Sequence, residues 1–135
     1  MASGPKKILI VEDEETFALI LKERLSVSGY EVKIAADAMY GVQIAHDMLP
    51  DLIVLDLLMP AGGGHHVLKN LNVSLRTCHI KVIISSVVRD EAVKKEVFQF
   101  PMVKTYLEKP YAIEKLLHEI ETVLNVLEPP SKTTL

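Results

Sequence analysis

The chain has 135 residues, 49% hydrophobic and 24% charged, which are the proportions of one soluble globular domain with room for a full core and none for a second domain. Lys plus Arg number 15 against 18 Asp plus Glu, a net charge of −3 that excludes the basic footprint of a nucleic-acid binder, and a single cysteine, Cys78, excludes a disulfide framework. No apolar run approaches the ~18 to 20 residues of a membrane span and no signal-peptide core opens the chain, so a cytoplasmic, reducing location is expected.

Residues 1–5 read as a short N-terminal arm or a cloning scar, and Lys6 to Val11 as the first strand. Phe17, Ile20, Leu21 and Leu25 keep helical spacing up to Gly29, which suits the position just past a helix end. Glu31 to Ala35 is the second strand, Asp37 suits the cap of a second helix, and Pro50 stops that helix. Asp51 to Leu55 is the third strand. Gly62-Gly63-Gly64 followed by His65-His66 reads as a flexible loop and helix start. The glycine run lacks the trailing Lys-Ser/Thr of a phosphate loop. Adjacent histidines do not share a helix face, and no cysteine or carboxylate partner is expected near them, so a metal is not expected there. Lys81 to Ser85 is the fourth strand and Lys104 to Glu108 the fifth. Between them Phe98, Phe100, Met102 and Val103 surround Pro101 as packing of the fourth helix and fifth strand, part of it free to face a partner. Ile113, Leu116, Leu117, Ile120, Val123, Leu124 and Leu127 mark one face of a final helix that Pro129-Pro130 ends, leaving 128–135 as a tail.

Four of the strands are apolar on consecutive positions, as parallel strands covered on both faces must be. Five βα repeats predict an α/β fold: a five-stranded parallel sheet, doubly wound in the flavodoxin-like manner. Ligands of such sheets sit outside the carboxyl ends of the strands. There the chain carries Glu12-Asp13-Glu14, Asp56, Ser85-Ser86 and Glu108-Lys109-Pro110. Three carboxylates brought together repel one another unless a cation sits among them, and hard oxygen ligands suit Mg²⁺. Lys109 would add a fixed positive charge and Ser86 a hydroxyl, an arrangement for a carboxylate, Asp56, to attack phosphorus. Glu14 and Glu15 are better read as capping or solvating a loop. Tyr106 has a packing reading beside any functional one.

These segments, in this order, resemble a response-regulator receiver domain, the phosphoacceptor module of two-component signalling. The resemblance runs from about Lys6 to Leu127. It rests on Ile-Leu-Ile-Val-Glu12-Asp13-Glu14, Pro50-Asp51-Leu-Ile-Val-Leu-Asp56-Leu-Leu-Met59-Pro60, Val82-Ile-Ile-Ser-Ser86 and Tyr106-Leu-Glu-Lys109-Pro110. It implies that Asp56 takes phosphate from the phosphohistidine of a sensor histidine kinase or histidine phosphotransfer protein. It implies Mg²⁺ held by Asp13, Asp56 and the backbone carbonyl of Leu58, with Glu12 acting through water. Lys109, ahead of a cis peptide to Pro110, would pair with the phosphoryl oxygens. Ser86 and Tyr106 would form the switch that alters a surface read by a downstream effector.

Several positions depart from the family pattern. Bulky residues replace the small ones before the fifth strand, Val87 stands where alanine is common, and the last helix lacks the arginine pattern of regulators that dimerise there. Only eight residues follow the last helix, so the output is expected from a partner, unless the chain is a fragment of a longer regulator or hybrid kinase. Two rivals stand beside this reading. A haloacid-dehalogenase-like phosphohydrolase needs an acid two positions after the nucleophile, where this chain has Leu58. A pseudo-receiver that acts without phosphorylation would not need Glu12, Asp13, Asp56, Ser86 and Lys109 together.

Overall fold

A computed structural model describes residues 4–125. Strand β1 (Lys7–Val11) is followed by α1 (Glu15–Val27), β2 (Glu31–Ala35), α2 (Ala38–Met48), β3 (Leu52–Leu55) and α3 (Gly63–Asn72). Then come β4 (Lys81–Ser86), α4 (Glu91–Phe98), β5 (Val103–Glu108) and α5 (Ile113–Asn125). All strands are parallel, in the order β2-β1-β3-β4-β5. The expected strand bounds hold to within one residue. At β5 the pairing with β4 passes from Val103 directly to Thr105, so exposed Lys104 is a bulge on an edge strand, where a charge also discourages pairing with another chain.

Alternate strand residues feed two cores. Leu9, Val11, Ile53, Leu55, Val82 and Ile84 pack with α2, α3 and α4 through Ala45, Leu68 and Val97. Ile8, Ile10, Leu52, Val54, Ile83 and Leu107 pack with α1 and α5 through Leu25, Leu116 and Ile120. Helices on both faces explain why these strands read as unbroken apolar runs. On α1 the inward residues are Ala18, Leu21 and Leu25, whereas Ile20 is exposed: the buried stripe lies further round the helix than the large side chains alone suggested. Leu127, Pro129-Pro130 and the tail lie outside the described residues. No helix among the described residues is long and apolar enough to cross a membrane.

Caps fix where the helices begin. Glu14, Asp37 and Asp90 accept from the N–H groups of Phe17, Tyr40 and Ala92, each at 2.7 Å. Helix α3 has no such cap. Its entry runs through Ala61, Gly62 and Gly63, all at positive φ (61°, 104° and 69°). Gly64 sits where an added Cβ would lie 2.6 Å from the Asp56 carbonyl oxygen and 2.9 Å from the Leu57 Cα. Helix α3 thus rests on the backbone of 56 and 57 with no side chain between.

The two adjacent histidines need a correction. Glu96, supplied by α4, brings Oε1 to 2.8 Å from the His65 Nε2, so a carboxylate does lie beside the pair, though the ring nitrogen is not aligned for a hydrogen bond. The partner comes from a different helix, which sequence neighbourhood could not reveal.

Candidate active site at the carboxyl edge of the sheet

Sheet register assembles the site. Val11 pairs with Leu55, so the residues that follow, Glu12 and Asp56, leave the central strands side by side, with the Asp56 N–H bonded to the Val11 carbonyl at 3.0 Å. On the other flank Ser86 pairs with Glu108, and the Lys109 N–H donates to the Ser86 carbonyl at 2.9 Å. Residues remote in the chain are therefore neighbours because their strands are.

Lys109 binds the two sides together. Its Nζ lies 2.7 Å from Glu12 Oε1 and 3.1 Å from Asp56 Oδ2, with Glu12 and Asp56 only 4% and 6% exposed. The remaining oxygens are engaged locally: the Leu58 N–H donates to Asp56 Oδ1 at 3.1 Å and the Glu14 N–H to Glu12 Oε2 at 3.1 Å. Burial pushes the Glu12 carboxyl above the ordinary glutamate range, and the hydrogen bond from Lys109 offsets this only in part. Burial works against the Lys109 charge too, but its contacts with Glu12 and Asp56 prevail and hold the ammonium pKa above its ordinary value. The peptide bond from Lys109 to Pro110 is cis.

Glu12, Asp13 and Asp56 each offer an oxygen within 4.8 Å of the others, the only such cluster of potential metal ligands among the described residues. Three carboxylates lie together while Lys109 bonds only Glu12 and Asp56, and burial already makes the Glu12 carboxyl resist ionisation. An all-oxygen donor set with surplus negative charge fits a hard divalent cation such as Mg²⁺.

The remaining predicted residues surround this centre. Ser86 is fully buried, and its Oγ accepts from the Val88 N–H at 3.3 Å. Tyr106, half-buried, donates from its hydroxyl to the Val88 carbonyl at 2.6 Å. Both are thus tied to the β4–α4 loop. The Leu58 side chain is exposed on the rim.

A set of charged residues that sequence reasoning did not single out braces the same loop. Arg89 donates to the Glu108 carboxylate and to the Lys109 carbonyl, each at 2.9 Å. Lys94 of α4 pairs with Glu108 and lies 5.3 Å from the centroid of the Tyr106 ring. Phe17 is the other unanticipated neighbour: Lys109 Nζ stands 4.7 Å from its ring centroid. No local pattern announces these contacts, because each joins segments that only the folded sheet brings together.

Comparison with known proteins adds an independent line. A sequence model of the response regulator receiver domain matches residues 8–121. The DNA-binding dual master transcriptional regulator RpaA of Synechocystis is 30% identical over 118 residues, 87% of this chain and 48% of that protein. Response regulator MprA of a Mycobacterium species is 30% identical over 125 residues, 93% of this chain and 53% of that protein. The chain spans about half the length of these curated relatives. Among solved structures, a CheY-like response regulator receiver domain protein from Methanospirillum hungatei superposes with a TM-score of 0.79 at 27% identity, covering 90% of this chain and 95% of that one. The non-phosphorylated HemR receiver domain from Leptospira biflexa shares the fold at a TM-score of 0.83 and 24% identity, over 92% and 98% of the two chains.

Proposed function

The chain belongs to the response-regulator receiver-domain family, and from that premise we propose that residues 6–127 form a receiver that takes a phosphoryl group on Asp56. One observation carries the assignment: Asp56 is a buried carboxylate at the end of a central strand, bonded to Lys109 at 3.1 Å and clustered with Glu12 and Asp13. A carboxylate oxygen of Asp56 attacks phosphorus, the bond from phosphorus to a partner's imidazole nitrogen breaks, and that nitrogen keeps the electron pair. Asp13, Asp56 and the Leu58 carbonyl would hold Mg²⁺, with Glu12 acting through water. The metal, when bound, supplies charge neutralisation. Lys109 supplies a second positive charge, aimed where the phosphoryl oxygens gather.

Uptake from the donor and later loss, in which water attacks phosphorus and the Asp56 carboxylate leaves, are both self-catalysed, so the chain is a signalling phosphoacceptor and no turnover enzyme. Its donor is a sensor histidine kinase or a histidine phosphotransfer protein in the cytoplasm. Its output is a downstream effector that reads the surface of α4, β5 and α5 once Ser86 and Tyr106 have rearranged. The bonds of Ser86 and Tyr106 to Val88 support this, since one short loop then reports on both residues.

Intact-mass measurement with Mg²⁺ and acetyl phosphate tests the reading. A single phosphoryl adduct is expected, absent without Mg²⁺ and absent in Asp56→Asn. A mutant that labels as well as the parent would remove Asp56 from the role.

A further inference from the structure

We propose that Phe17 is a positioning residue for the Lys109 ammonium, its ring face closing a three-sided seat whose other sides are the Glu12 and Asp56 carboxylates. The proposal rests on the phosphoacceptor reading given above. Lysine carries its charge on a flexible four-carbon stem, so where that charge sits is set by what surrounds it. Here Nζ has Glu12 at 2.7 Å, Asp56 at 3.1 Å and the Phe17 centroid at 4.7 Å, with only 17% of the side chain exposed. A ring face attracts a cation through its quadrupole, and more strongly where water is excluded.

The ring is itself held from two directions. At its backbone, the Phe17 N–H is taken by the Glu14 cap at 2.7 Å, which fixes the first turn of α1. The ring also meets Tyr111 edge to face, centroids 6.2 Å apart at 76°, and the Tyr111 hydroxyl pairs with Ser85 Oγ at 2.6 Å. The chain of contacts therefore runs from β4 through Tyr111 and Phe17 to the ammonium.

The three sides of the seat answer differently to the reaction. When an Asp56 oxygen bonds to phosphorus, that carboxylate ceases to be a counter-ion, and the ammonium must pass to the phosphoryl oxygens. A second carboxylate in place of the ring would compete for it. The ring attracts the cation without forming an ion pair, keeps water from that side, and is unaltered by the charge change at Asp56.

Phe17 also packs among the α1 and α5 core residues, so the test must separate packing from the quadrupole. Graded fluorination of the Phe17 ring keeps its shape while draining electron density from its face. The rate of acetyl phosphate labelling at saturating Mg²⁺ is expected to fall stepwise along the series, by roughly threefold to tenfold at pentafluorophenylalanine, with the unfolding midpoint unchanged. Equal rates along the series would overturn the proposal. A second readout needs no phosphodonor: the Lys109 ε-methylene protons should be ring-current shifted in the parent and lose that shift in Phe17→Leu. An unshifted parent signal would also overturn the proposal. A parent that shows the shift yet never labels would instead overturn the phosphoacceptor reading.

Discussion

Arg89 grips the main chain of the residue whose side chain holds the carboxylates together: its Nη2 donates to the carbonyl oxygen of Lys109 at 2.9 Å. With its other nitrogen on Glu108, and Lys94 on the same carboxylate, it fastens the β4–α4 loop and α4 to the end of β5. Exposed ion pairs add little to global stability. Arg89→Ala should therefore leave the urea midpoint nearly unchanged while amide exchange at residues 87–90 accelerates. Unaltered exchange in that loop would show that the brace restrains nothing. The hydrogen bond from Lys94 holds the Glu108 carboxyl below its ordinary range. A lowered folded-state value means the tie is present above the ordinary carboxylate range and lost as pH falls through the lowered value, so loop protection should drop only in acid.

Lys109→Ala should separate chemistry from response. Without the ammonium, labelling by small donors should slow, and the residual phosphorylated form should no longer shift the amide signals of α4, because in the proposed reading Lys109 would join the phosphoryl oxygens to the strand end bonded to Ser86. Signals in α4 that move as in the parent would break this link.

The lifetime of the phosphorylated state should be long. Leu58 is exposed on the rim of Asp56 and Val88 lies half-buried in the loop beside Ser86, and neither side chain can orient a water. Replacing them together, Leu58→Asn with Val88→Glu, should speed loss of phosphate tenfold or more if ~1.4 kcal/mol of barrier is removed. Decay time courses at equal Mg²⁺ measure this, and equal rates would show that access at these positions does not set the lifetime.

Burial raises the Tyr111 phenol above its ordinary value, and the hydrogen bond with Ser85 only partly opposes this. A raised folded-state value means its contribution is complete below the unfolded pKa of ~10 and is lost as pH climbs through the folded value. Tyr111→Phe should cost about 1 kcal/mol at pH 8, by leaving the buried Ser85 hydroxyl without its partner. That deficit should shrink above pH ~10. A deficit that stays constant into alkali, in denaturant titrations, would contradict the assignment.

Gly64→Ala places a Cβ against backbone that cannot yield, 2.6 Å from the Asp56 carbonyl oxygen. The substitution should lower stability by about 1 to 3 kcal/mol, as overpacking does. A urea midpoint equal to that of the parent would mean that α3 can slide.

Much of this architecture was legible in the sequence because it depends on short-range pattern. Apolar runs such as Ile8 to Val11 mark strands buried on two faces, and the grouping of Glu12, Asp13 and Asp56 follows once β1 and β3 are parallel neighbours, with Lys109 reaching across from the end of β5. What escaped depends on packing between distant segments. Ile20 has helical spacing but faces out, while the small Ala18 is among the residues that α1 buries. The Phe17 ring, the Arg89, Lys94 and Glu108 brace, and Glu96 beside His65 carry no local signature at all.

The bare contact at Gly64 gives the domain a stiff flank and a yielding one. On the α3 side, backbone meets backbone, so the Asp56 peptide and that helix must travel as one body. On the α4 side the hydrogen bonds and ion pairs that hold the β4–α4 loop and α4 to the site run through side chains, those of Ser86, Tyr106, Arg89 and Lys94. A force generated at Asp56 would then be delivered in one direction, much as a hinge opens away from its fixed leaf.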